Sequence, residues 1–165
     1  MGISQITCSN ETTNKEIWSV KTCTNLESSR YVIVAFQTNR KDNKSQDITN
    51  FDNTDISNIK LDINSEYYPY EDMKLSFDSH KYVEAYYMLL EKTIFFNLIK
   101  LVYLFYLYNA YIRVPTLFVI DCSKRNYAIK TSTIDVKLEI ESRTNFPADT
   151  KAYCINIHDS VGVYR

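Results

Sequence analysis

The sequence predicts a mainly all-β fold, an antiparallel sandwich with one helical insertion around residues 80–112. Three observations carry that expectation. Thr133 to Glu141 alternates cleanly, with Ile134, Val136, Leu138 and Ile140 on one side and Asp135, Lys137, Glu139 and Glu141 on the other. Arg30 to Gln37 is an almost unbroken β-branched and aromatic run bounded by Ser28-Ser29 and Thr38-Asn39. Further short strand-type runs follow with turn residues between them and no strand–helix–strand alternation, which argues against a parallel sheet. The chain has 165 residues, 45% hydrophobic and 24% charged, an ordinary balance for one domain with its own core.

Taken in order, residues 1–16 are rich in Ser, Thr and Asn without a sustained period and read as a flexible N-terminal tail, leaving 17–165 as a single domain. Ile17 to Thr24 alternates loosely. The continuous apolarity of Arg30 to Gln37 requires cover on both faces and so predicts a central strand. From Asn39 to Asn58 a polar stretch anchored by Ile48, Phe51 and Ile56 reads as a long loop. Ile59 to Asn64 is a half-exposed strand with Ile59, Leu61 and Ile63 inward. Pro69 then marks a turn or sheet edge, because it cannot donate to a ladder.

Ser79 is placed to cap a helix starting near His80, with Tyr82, Val83, Tyr86, Leu89 and Leu90 at helical spacing. Beyond it, residues 94–112 form an atypical apolar segment interrupted by Asn97, Lys100 and Asn109. It is long enough to span a bilayer, but a central lysine costs about 2.5 to 3.5 kcal/mol there, so a buried helix is favoured over a membrane anchor. Leu117 to Ile120 is a short strand. After a turn at Asn145 to Asp149, Lys151 to His158 puts Tyr153, Ile155 and Ile157 on one face. With two glycines in the chain, Gly2 and Gly162, Asn and Asp are expected to supply most positions of positive φ.

Chemistry is sparse. Asp121, Cys122, Ser123 and His158 are the residue types of a cysteine or serine hydrolase, but short polar side chains at a strand-to-turn junction ordinarily bond to local backbone. That assignment is the remote alternative, and a non-enzyme is expected. His80 and His158 lack partners at ligand spacing, so no metal site is predicted, and Cys8, Cys23, Cys122 and Cys154 form no CxxC. Glycine-rich phosphate loops are excluded, and neither a cofactor nor a small-molecule substrate is implied. The formal net charge of −1 supplies no field for nucleic acid, and Arg40, Lys41 and Lys44 are interleaved with acidic and polar residues as in a solvated loop. The first residues lack the pattern of a secretory signal, so an intracellular location is expected. The 14 tyrosines suit surfaces that are dry at the ring and wet at the hydroxyl, and Tyr67, Tyr68 and Tyr70 are the interface candidates.

Three blocks carry a resemblance: Trp18 to Thr22 with Arg30 to Lys41; Phe51 through Tyr70; and Phe118 to Ser123 through Ala152 to Asp159. In their order and spacing the chain resembles the double jelly-roll major-capsid-like proteins of Polinton or Maverick elements and adintovirus-like relatives. The resemblance implies that this domain is the C-terminal jelly roll of such a protein, packing beside an N-terminal one into trimers of a capsid shell. It therefore implies a structural, self-associating module, in the virion where capsids form. Only one of the two rolls is represented, and 94–116 departs from the family's connection, as in a truncated or domesticated fragment.

Overall fold

The computed structural model describes residues 2–8, 13–20, 29–40, 50–63, 65–95, 116–123 and 136–158. They form β1 (Gly2–Cys8), β2 (Lys15–Ser19), β3 (Ser29–Thr38), β4 (Ile56–Ile63), β5 (Glu66–Tyr68), α1 (Val83–Phe95), β6 (Leu117–Asp121), β7 (Val136–Ser142) and β8 (Thr150–His158). Two four-stranded sheets result, ordered β1-β8-β3-β6 and β2-β7-β4-β5, with every pairing antiparallel. The first strand pairs with the last, the second with the second-last, the third with the third-last, and the middle two with each other. This is the connectivity of a long two-stranded ribbon rolled up, and it places β8 beside β3 and β7 beside β4.

Alternation along the strands fills the space between the sheets. From the first sheet come Val32, Val34, Phe36, Phe118, Ile120, Ala152 and Cys154; from the second, Trp18, Ile59, Leu61, Ile63, Val136, Leu138 and Ile140. Phe36 and Phe118 meet edge to face at 5.9 Å between ring centroids, and Phe118 meets Phe77 likewise at 6.4 Å. The expected sandwich is therefore present. Arg30 to Gln37 falls within β3, which lies between β8 and β6 as a central strand should.

Four expectations change. Where a flexible tail was expected, Gly2–Cys8 is an edge strand paired along its length with β8. Its period of two is short but present: Ile6 and Cys8 turn inward while Gln5 and Thr7 stay exposed. The helix begins at Val83 and not near His80. The backbones of Ser76 and Lys81 exchange two hydrogen bonds, of 2.9 and 2.7 Å, which close a tight turn with His80 at φ 55°; the first helical bond is Tyr86 N–H to the Tyr82 carbonyl, 3.0 Å. Val83 consequently faces solvent, while Tyr82, Ala85 and Tyr86 carry the buried side.

Residues of positive φ are Asn39, Thr54, Asp55, Ser65, Lys74, His80 and Asp149, so Asn and Asp supply three of the seven among the described residues. At Ser65 a local bond helps, its N–H donating to the Asp62 carboxylate at 2.7 Å, whereas at Thr54 and Asp55 the distant Ser142 hydroxyl of β7 donates to the carbonyls at 2.8 and 3.1 Å. No described helix is long and apolar enough to cross a membrane. Residues 96–112 of the apolar segment lie outside the described residues, as do Lys41 and Lys44 of the basic cluster and Cys23.

Candidate functional site

The three tyrosines singled out from the sequence sit together on and just after β5, but in different roles. Tyr68 points inward and is buried, its hydroxyl donating to Glu66 Oε2 at 2.9 Å. Burial, aided by the Glu66 carboxylate, pushes its phenol well above the usual range. Tyr67 points outward, with Lys60 Nζ 5.7 Å from its ring centroid. Tyr70 follows the cis Tyr68–Pro69 bond and is 74% exposed, its ring 5.7 Å from that of Tyr68. Facing them across a cavity of about 530 Å³ stand Val83, Glu84, Tyr87, Met88 and Glu91 of α1, with Asp121 at the end of β6. The helix side was missed from sequence, although Val83 and Tyr87 at i,i+4 and Glu84 and Glu91 at i,i+7 mark a single face.

The two outer faces of the sandwich differ in chemistry. On the β2-β7-β4-β5 sheet, Lys15, Lys137, Glu139, Glu141, Lys60 and Asp62 point outward, and Lys15 Nζ lies 2.8 Å from Glu141 and 3.5 Å from Glu139. On the other sheet the register sets Tyr31, Ile33 and Ala35 of β3 beside Ile157, Ile155 and Tyr153 of β8, and Val119 and Leu117 of β6 beside Ile33 and Ala35. All point away from the core between the sheets. Tyr31, Ala35 and Val119 are nonetheless buried, and the other five are half-buried. The face that the sequence pattern of Tyr153, Ile155 and Ile157 announced is thus the outer one.

Asp121, Cys122 and Ser123 are brought together only locally. Ser123 N–H donates to the Asp121 carboxylate at 2.8 Å, and the fully buried Cys122 thiol points to the Ile120 carbonyl, 3.9 Å away. His158 lies at the end of β8 opposite Ser29, on the far side of β3 from Asp121, two strand spacings or about 10 Å at the backbone. Burial pushes the Cys8 thiol up to about 11, with Glu16 adding to it, and the Cys154 thiol up to about 12. These thiols are core groups and not nucleophiles. His80 is exposed, its ring 6.2 Å from that of Tyr82, and no metal-ligating cluster exists among the described residues.

Eight antiparallel strands wrapped as a rolled ribbon define the class as a jelly-roll sandwich. The chain belongs to the double jelly roll-like domain family, whose model matches residues 4–162, from within β1 to beyond β8. Domains of this family are typical of viral capsid proteins, which supports a structural role. No curated protein and no solved structure matches the chain.

Proposed function

We propose that this protein is a capsid-type jelly-roll module that works by packing against further jelly rolls, and that its ancestry lies among the Polinton, Maverick and adintovirus-like capsid proteins its sequence blocks resemble. One observation carries the packing reading: Ile33, Leu117, Tyr153, Ile155 and Ile157 form a contiguous apolar outer surface on one sheet, while the opposite sheet carries paired charges. A sheet face meant for water alternates polar outward residues, as β7 does; β3, β6 and β8 do not. Such a face fits a third layer of structure supplied by a neighbouring roll.

Self-association, with a trimer as the unit, is the consequence to test. Light scattering on the purified chain should give a trimer or larger species. Ile155→Lys and Leu117→Lys should shift it toward monomer while the far-ultraviolet circular dichroism keeps its β signature. A wild-type chain that stays monomeric at high concentration would sink the reading.

A further inference from the structure

Each sheet ends in two edge strands, and three of the four are blunted. β2 carries Lys15 and Glu16, and Glu16 lies on the same side as the buried Trp18, where an added strand would have to cover its charge. β5 is three residues long and runs into Pro69, which has no N–H to donate. β6 ends in Asp121 and has α1 packed against it. β1 has none of these devices. Its seven residues contain no charge and no proline, and they pair with β8 in unbroken register without a bulge. Gln5 and Thr7 are exposed, and β1 stands last in its sheet, so no strand lies along its outer edge among the described residues. A long, regular, uncharged edge is a ready template for another strand, and chains that do not use one charge it, bend it or cover it.

We propose that β1 pairs with β1 of a second copy of this chain, antiparallel across a two-fold axis, so that the two β1-β8-β3-β6 sheets join into one of eight strands. The strand is matched to itself. With no charge along it, nothing repels the identical strand. An axis perpendicular to the sheet keeps the outer side of each copy outward, so Gln5 and Thr7 meet their counterparts at the surface, where amide and hydroxyl bond across the seam. On the inner side, Ile6 is only half-buried at the rim of the core and gains cover from the inward side chains of the other copy. This contact is made by backbone at the end of the sheet farthest from β6. It adds a two-fold contact to the trimer of the packing reading and does not rest on that reading.

Hydrogen–deuterium exchange of the full chain at low and at high protein concentration, read by mass spectrometry on the peptide holding residues 2–8, tests the pairing. Amides turned away from β8 should exchange freely in the dilute chain and slow by about tenfold or more in the concentrated one, where sedimentation should show paired copies. Gln5→Lys combined with Thr7→Lys sets like charges on both sides of the axis and should abolish that concentration dependence, with the β-type circular dichroism retained. Leu117→Lys, on β6 at the far end of the sheet, strikes the outer face alone and should leave the protection of β1 in place.

Equal exchange of residues 2–8 at both concentrations would overturn the inference, as would protection that survives Gln5→Lys with Thr7→Lys or disappears with Leu117→Lys. The last of these would assign the contact to the outer face and leave the packing reading standing. Conversely, a chain that shows the protection and forms pairs but no trimer supports the edge contact and removes the packing reading.

Discussion

At the scale of single residues, the turn that enters β4 concentrates the local cost. Thr54 and Asp55 both have left-handed backbone, φ 44° and 51°, which is unfavourable for a β-branched residue. The Ser142 hydroxyl satisfies both of their carbonyls, and Arg143 N–H donates to the Asp55 carbonyl at 3.0 Å. Ser142→Ala should therefore destabilise the fold by about 1 kcal/mol, read from urea unfolding, since it removes the one hydroxyl proton shared by these part-buried carbonyls while Asp55 keeps its bond from Arg143 N–H. Burial, with the Asp78 charge adding and the Arg143 charge opposing, raises the Asp55 carboxyl above its ordinary range. With the folded value above the unfolded one, the folded state holds this proton more tightly, so the group's contribution falls as pH rises from the unfolded value through the folded one. Asp72 has the opposite sign: hydrogen bonding and charge from Lys60 lower its carboxyl, and its contribution is present above the ordinary range and lost as pH falls. Unfolding measured between about pH 3 and pH 7 should show Asp55→Asn gaining on wild type as pH rises and Asp72→Asn losing ground. None of this was legible in the sequence, because Ser142 and Thr54 meet only after β7 and β4 pair. The Asx-type bond of Asp121 to Ser123 was legible, because it is local.

At the scale of elements, β3, β4, β6, β7 and β8 could be read from their residues because burial on one or both faces imposes a pattern that turn residues then punctuate. β1 could not. As an edge strand it has a single neighbour, and its polar positions resemble a tail until β8 is there to pair with it. Deleting residues 1–8 should thus do more than shorten the chain: it removes buried Cys8 and leaves β8 as an unprotected edge, so the variant should melt lower and aggregate on heating, as turbidity would show. A tail, in contrast, could be removed without effect on either measure. The start of α1 was misplaced for a related reason, since the turn closed by Ser76 and Lys81 is a backbone pairing that leaves no signature in the residues. In the core the arithmetic is simpler. Leu138→Ala, at a fully buried position between Trp18 and Leu61 of the neighbouring strands, should cost about 2–5 kcal/mol in chemical denaturation.

For the whole molecule, the decisive property is that most pairings join distant parts of the chain, the outermost being β1 with β8. Loop closure must precede those contacts, so refolding followed by tryptophan fluorescence of Trp18 should be slow for this size, on the order of milliseconds to seconds. A relaxation much faster than that would mean the rolled pairing is not what limits folding. The class of fold was legible from strand patterns, while the pairing of the strands was supplied only by resemblance, because alternation reveals which face of a strand is buried and not which strand lies beside it. The contrast between a charged and an apolar outer face was half-legible, in the pattern of Tyr153, Ile155 and Ile157, but the sequence could not say that this face looks outward. Pairing of the first strand with the last also bears on ancestry. Gly2 lies opposite Asn156, so the polypeptide enters and leaves the roll at one corner. Tandem duplication of such a gene would attach a second roll at that corner without threading either copy through the other, a route by which one ancestral roll becomes two in a single step.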